Sequence, residues 1–342
     1  MKTRRWISIT FPFVVIIALY FLGPAPVPPS YEDILPGIPD APAALVDYVR
    51  KKEMSYRIKP DNEARIVWHD STREKTEYAV VYLHGFSASQ EEGDPVHRRF
   101  AENFGCNLFL TRLSDHGIDT TESLLYFTAD RVWDSAREAL AIGKKLGDKV
   151  ILMSTSTGGT LALMLAAKFP EDVHALISMS PNIAINNPAA FLLNDPWGLQ
   201  IARMVKGGKY NETGASEEKS KYWNRKYRLE SVVQLQELVE STMTRKTFAS
   251  VTQPSLTLYY YRNEDEQDPE VKVSAMLEMH QQLATPDSLK VAKAMPDAGA
   301  HVLGSPLSSG DVEGVYSEIE KFARGTLHME RSGKLAVSRS SP

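Results

Sequence analysis

From residue 65 onward, short apolar runs alternate along the chain with stretches whose apolar residues recur every three or four positions. Brief apolar runs bounded by turn residues mark buried strands, whereas the longer spacing is that of amphipathic helices. The pattern predicts strands over residues 65–68, 78–83, 107–112, 149–154, 175–180, 255–261 and 290–295, and helices over 95–104, 131–146, 157–169 and 312–323. Such alternation is that of an α/β fold with a mostly parallel sheet covered by helices on both faces. Residues 181–253 break the rhythm. They are polar-rich and carry their own helical spacing at 196–205 and 231–247. A structureless connection of that length inside a domain would be exceptional, so this segment is expected to form a helical lid inserted into the fold. The reading is one domain over 31–325 with a lid at about 181–253, followed by a tail, 326–342, expected to be disordered because it lacks periodicity.

The N-terminus has a different pattern. Lys2, Arg4 and Arg5 precede an uncharged run from Trp6 to Leu22, and Gly23 and a Pro-rich stretch through Pro29 follow. A basic flank before an apolar run is the grammar of export. As a helix the run would measure roughly 26 Å, just short of a hydrocarbon core. Residues 1–30 are therefore expected to be a single membrane anchor with a stiff Pro-rich spacer, the basic flank staying cytoplasmic and the domain lying on the far side. The alternative is cleavage and release as a secreted or periplasmic protein. The prolines around Ala25 suit a cleavage site poorly, which favours the anchor.

Composition narrows the function classes. Of 342 residues, 43% are hydrophobic and 24% charged, the balance of a chain that can bury a large core. The net charge of -4, with both signs interspersed, provides no basic field, so nucleic acid is not an expected partner. Cys106 is the single cysteine, which excludes an intramolecular disulfide and any thiolate cluster; beside an apolar run, it reads as a buried thiol. No two of the eight histidines have the spacing of a ligand pair, His116 beside Asp115 included, so neither metal nor cofactor is expected.

Candidate chemistry sits where the strand at 149–154 runs through Ser154-Thr155-Ser156-Thr157-Gly158-Gly159 into a helix. A nucleophile on a sharp strand-to-helix turn projects from the sheet, and its neighbours must be small. Ser156 occupies that position, with Ser154 where the G-x-S-x-G pattern has its first glycine. The positive end of the following helix would favour an oxyanion there. A serine that merely caps the helix is the alternative. The strand at 78–83 ends in His84-Gly85-Phe86-Ser87, a loop able to aim a backbone N–H over the sheet. An oxyanion hole needs one N–H from the residue after the nucleophile and one from a neighbouring loop, which makes Thr157 and Phe86 the candidates. His84 is expected to be structural.

These motifs resemble the α/β-hydrolase superfamily of serine hydrolases, specifically its carboxylesterase and monoacylglycerol-lipase-like branch, over roughly residues 60–325. His84-Gly85-Phe86 is similar to that group's oxyanion loop, Arg112 to Gly117 to the loop after its next strand, and Ser154 to Gly159 to its nucleophile elbow. The resemblance implies a triad in the order serine, acid, histidine. It places the acid in the loop 262–271, where Asp268 fits the D-x-x-V pattern and Asp265 is the other choice, and the base at His301 in Asp297-Ala298-Gly299-Ala300-His301. The function implied is hydrolysis of a small-molecule carboxylic ester, acyl or lipid-like, through an acyl-enzyme on Ser156. Phe191, Leu192, Leu193, Trp197 and Leu199 are candidates to line an acyl pocket or to form the lid's own core. Amide or peptide hydrolysis by the same triad, and a membrane-tethered binding protein without turnover, are the alternatives.

Overall fold

Successive residues of a strand point to opposite faces of its sheet, so strands apolar at nearly every position must be buried on both. The computed structural model, which describes residues 17–332 apart from 215, buries them between two helical layers. In chain order the elements are α1 (Pro42–Glu53), β1 (Arg65–Val67), β2 (Thr76–Leu83), α2 (Val96–Asn103), β3 (Asn107–Leu110), α3 (Ala129–Leu146), β4 (Gly147–Thr155), α4 (Thr157–Lys168) and β5 (Ala175–Met179). There follow α5 (Gly198–Lys206), β6 (Tyr210–Glu212), α6 (Glu217–Tyr222), β7 (Lys226–Arg228), α7 (Leu229–Thr242), α8 (Arg245–Phe248), β8 (Ser255–Tyr259), α9 (Val273–Gln282), β9 (Lys290–Ala294) and α10 (Val312–Gly325).

The main sheet has the order β1-β3-β2-β4-β5-β8-β9, parallel except for β1, which runs antiparallel to β3. Val81 and Leu83 of β2, with Val150 and Leu152 of β4, join the layer of α3, α4 and α7. Val80, Tyr82, Ile151 and Met153 point the other way, into the layer of α2 and α10. The helix after β2 therefore lies on one face and the helix after β4 on the other, although the two strands are neighbours. A crevice opens at the carboxyl ends of strands where connections diverge in this way, and it is here that open α/β sheets bind ligands.

All seven expected strands form. Four elements were not anticipated: α1, α9, α6 and the β6–β7 hairpin. Between β5 and β8 the chain folds into α5 to α8 with that hairpin, and α7 packs on the sheet layer through Leu235, Leu238 and Val239.

Two expectations for the termini need correction. No helix among the described residues is long and apolar enough to cross a membrane. Of the run from Trp6 to Leu22, residues 1–16 lie outside the described residues, and 17–21 form a short helical stretch that ends before Gly23. That stretch lies against the lid, where the Trp197 indole N–H donates to the Leu19 carbonyl at 3.0 Å and the Trp197 amide donates to Pro24 O at 3.0 Å. Prolines 24, 26, 28 and 29 have no N–H to carry the helix further. The expected membrane-spanning helix is thus not found among the described residues, and the placement built on it is withdrawn. At the other end, the chain expected to be disordered from 326 stays packed: Leu327 and Met329 are buried beside Phe322, and the Ser332 amide donates to Asn103 O at 2.8 Å. Residues 333–342 lie outside the described residues.

The loop after β3 is tied to α1 by a buried ion pair. Arg112 donates from Nε to Glu53 Oε2 at 2.7 Å and from its terminal nitrogen to Oε1 at 2.9 Å, with side-chain exposures of 4% and 9%. The Arg112 guanidinium also reaches His116 O at 3.1 Å and lies over the Tyr56 ring. Removing one partner leaves a buried charge uncompensated, so Glu53→Ala is expected to cost about 3 kcal/mol of stability in urea unfolding. A loss below about 1 kcal/mol would mean that water reaches the guanidinium and the pair does not hold the loop.

Candidate active site

Ser156 sits between β4 and α4 with φ 52° and ψ -119°, in the left-handed half of the map that side-chain-bearing residues avoid. Four hydrogen bonds hold it there. Its amide donates to Met179 O at 3.1 Å, and its carbonyl accepts from Gly159 N at 2.8 Å, Thr160 N at 3.3 Å and Asn182 N at 2.9 Å. Small neighbours are obligatory: a β-carbon on Gly158 would lie 1.9 Å from Leu83 O, and one on Gly159 2.5 Å from Pro181 Cβ. At Ser154 there is room for a hydroxyl, which donates to Ser178 Oγ at 3.3 Å, so serine replaces the usual glycine without a clash. The Ser156 side chain caps nothing, which removes the reading of this residue as a helix cap.

His301 lies in the loop after β9, and its Nδ1 is 2.7 Å from Asp268 Oδ2 in the loop after β8. Oδ1 of the same carboxylate accepts from Glu270 N at 2.9 Å and Val271 N at 3.1 Å. Burial alone would raise the Asp268 carboxyl, but the His301 ring and these hydrogen bonds hold it below the usual carboxylate range. Burial would likewise lower His301; the Asp268 charge and hydrogen bond, helped by Glu92 and Glu270, raise it above the usual histidine value instead. With Nδ1 engaged, Nε2 is the nitrogen left to accept a proton. Asp265 is exposed and makes no contact with the imidazole; its amide donates to the Asn263 side chain.

Ser156, Thr157, Phe86 and His301 line one cavity of about 660 Å³ at the carboxyl ends of β2 and β4. Neither the Phe86 nor the Thr157 amide has a hydrogen-bond acceptor among the described residues. The Phe86 ring is set edge-on against His116, Phe127 and Tyr227. His84 is structural, as expected: Nε2 accepts from Leu113 N at 3.0 Å, and Nδ1 lies 2.9 Å from Gly85 O. His116 and Asp115 form no joint site. His116 Nε2 accepts from Ser87 N at 3.0 Å, while Asp115 Oδ2 accepts from Tyr126 N at 2.7 Å. Burial keeps both histidines neutral, well below the usual value for His84 and at about 4 for His116. Cys106 is buried beside β3, its thiol pushed up to about 12 by burial, and stands apart from the cavity.

Of the apolar lid residues singled out in the sequence, Leu192 and Leu193 line the cavity, while Phe191, Trp197 and Leu199 do not. Ile201, Val205, Leu229 and Leu235 are among the other apolar residues of its wall. Their helical spacing marked an amphipathic face, but which cavity it covers depends on how the lid folds. Glu92, in the turn Gln90–Gly93, was missed altogether. It is buried against Gly85 and lines the cavity, where an acidic surface turn was the natural reading of Gln90-Glu91-Glu92-Gly93-Asp94.

Comparison with known proteins bears on the fold. Residues 78–207 match the family model described as alpha/beta hydrolase fold. No curated protein matches the sequence. Among solved structures, one of metagenome-derived lipolytic enzymes, LipS and LipT, superposes with a TM-score of 0.63 at 16% identity, over 78% of this chain and 99% of that one. A monoacylglycerol lipase from Paleococcus ferrophilus gives 0.56 at 12% identity, over 76% and 96%. A soluble variant of monoglyceride lipase from Saccharomyces cerevisiae, bound to a substrate analogue, gives 0.57 at 13% identity, over 79% and 92%. The chain has the α/β-hydrolase fold.

The contact between Gly158 and Leu83 O makes a steric demand of its own. Gly158→Ala must displace a strand carbonyl, so we expect a loss of at least about 2 kcal/mol in urea unfolding, the scale of overpacking in a close-packed core. A variant as stable as the parent would mean that the elbow does not approach β2 so closely.

Proposed function

We propose that this α/β-hydrolase-fold protein is a serine hydrolase of carboxylic esters that works through an acyl-enzyme on Ser156. The observation that carries the reading is the meeting, in one cavity, of a strained Ser156 and a His301 whose far nitrogen is tied to the buried Asp268. Strain at a single residue is kept only where its surroundings over-determine it, and such residues cluster at functional sites.

In this reading His301 Nε2 takes the proton of the Ser156 hydroxyl as the oxygen attacks the ester carbonyl. Asp268 keeps the remaining N–H on Nδ1 and stabilises the imidazolium formed. The carbonyl oxygen becomes an oxyanion, held by the Phe86 and Thr157 N–H groups and by the amino end of α4. As the tetrahedral intermediate collapses, the C–O bond to the alcohol breaks and His301 returns its proton to the departing oxygen. Water, deprotonated by the same imidazole, then attacks the acyl-serine; the bond from the acyl carbon to Ser156 Oγ breaks, His301 returns the proton to that oxygen, and the acid leaves. The apolar wall supplied by the lid suits an acyl chain, and the lipolytic proteins that share the fold point the same way.

Turnover of p-nitrophenyl esters by purified variants tests the roles one at a time. Ser156→Ala is expected to lose at least about 10⁴-fold in kcat, and Asp268→Asn about 10³-fold or more, because the wrong tautomer is then favoured. Asp265→Asn should stay within about twofold of the parent, since it makes no contact with the imidazole. Near-normal turnover by Ser156→Ala would end the assignment. A larger loss for Asp265→Asn than for Asp268→Asn would move the acid.

A further inference from the structure

The mechanism leaves one buried carboxyl in the cavity without a task. Glu92 lies within the sheet-end crevice, yet no cation pairs with it at ion-pair distance among the described residues. A carboxyl in such a place is costly, and a leucine would fill the same space at less cost. Its one hydrogen bond identifies what it does: Oε2 accepts the backbone N–H of Gly85. Gly85 immediately precedes Phe86. A β-carbon on Gly85 would lie 2.9 Å from both Glu92 oxygens and 3.0 Å from Ser156 Cβ, so this backbone is clamped between the carboxyl and the nucleophile.

The next peptide unit is held from its other side. The Gly85 carbonyl faces His84 Nδ1 at 2.9 Å and accepts from Ala88 N at 3.4 Å. In a trans peptide the C=O and the following N–H point in opposite directions. Binding the Gly85 carbonyl therefore turns the Phe86 N–H away from it, and binding the Gly85 N–H fixes the preceding unit and with it the rotation between the two. We propose that Glu92 is a positioning residue for the oxyanion site, holding the Gly85 amide so that the Phe86 N–H is fixed toward the carbonyl oxygen of the substrate. The inference rests on the reading of Ser156 as nucleophile and Phe86 as oxyanion donor.

Charge gives Glu92 a second effect, separate from its hold on Gly85. The groups facing Glu92 are His301 from the loop after β9, Lys219 from α6 and the Tyr82 hydroxyl from β2, with Glu91 and Asp94 on its own turn. His301 in turn faces Asp268, Glu270 and Glu92. Burial pushes the Glu92 carboxyl up to about 7, moderated by the Gly85 N–H, His301 and Lys219. An anion beside an imidazolium stabilises it and raises its pKa. Burial leaves the Glu92 carboxyl only partly ionised around neutral pH, so replacing it moves the acid limb of kcat/KM down by less than a full charge would.

The test is the pH profile of kcat and KM for p-nitrophenyl butyrate with the parent, Glu92→Ala and Glu92→Gln, each checked for folding by urea unfolding. Glu92→Ala is expected to lose about 10²-fold in kcat with KM within about threefold, the scale of a disturbed oxyanion donor. Glu92→Gln keeps an oxygen opposite the Gly85 N–H and should recover to within about tenfold of the parent, with any shift of its acid limb downward. Should Glu92→Ala fail to fold, Glu92→Leu, which fills the same space without an acceptor, decides in its place by the same loss of kcat. A kcat for Glu92→Ala within about threefold of the parent would overturn the role of Glu92. Absence of ester turnover in the parent would overturn the reading of the site itself, a result distinguishable from either.

Discussion

The backbone of Ser156 is held where a residue with a side chain costs about 1–3 kcal/mol, and much of the molecule is arranged to keep it there. Its amide and carbonyl are bound by Met179, Gly159, Thr160 and Asn182, groups that belong to β5, α4 and the start of the lid connection. The close approach of Gly158 to Leu83 O ties the same turn to β2. Neither β2, β4 nor β5 could shift register without releasing the turn, and their register is itself set by side chains buried on two faces. Packing in the sheet is thus converted into the direction of one hydroxyl.

Opposite that hydroxyl, the electrostatics are divided between two carboxyls in unlike surroundings. Asp268 receives two backbone N–H groups and the imidazole, and stays below the usual carboxylate range despite its burial. Glu92 receives a single N–H, and burial prevails. The difference lies first in the direct charge and hydrogen bond of His301, which Asp268 meets and Glu92 does not, and then in the two backbone donors. Both act on His301, Asp268 through direct contact and Glu92 across the cavity.

How much of this was legible in the chain depended on how local the signal was. The strands and most helices of the sheet layers announce themselves by period, and the elbow by a run of small residues that only a tight turn requires. The candidate triad acid is narrowed by the sequence to two aspartates three positions apart, Asp265 and Asp268. What separates Asp268 from Asp265 is the pair of amides from Glu270 and Val271 that cap it, a feature of the folded loop. Glu92 was invisible for a related reason, since an acid in a polar turn looks solvated until the fold covers it. Helices α1 and α9 were overlooked although Leu45 and Val49, and Val273, Met276 and Met279, carry helical spacing, because so few apolar positions stand out from polar neighbours. The N-terminal run was overread. Lack of charge made it look like a span, yet no described helix is long and apolar enough for one, and the described end of the run lies against Trp197.

The most direct test of the strained serine as the reactive centre is to treat the whole protein with a fluorophosphonate and locate the adduct by peptide mass spectrometry. A single adduct on the peptide carrying Ser156, formed faster as the pH rises through the titration of His301, is the expected result. An adduct on another residue, or none under conditions that modify a known serine esterase, would contradict it.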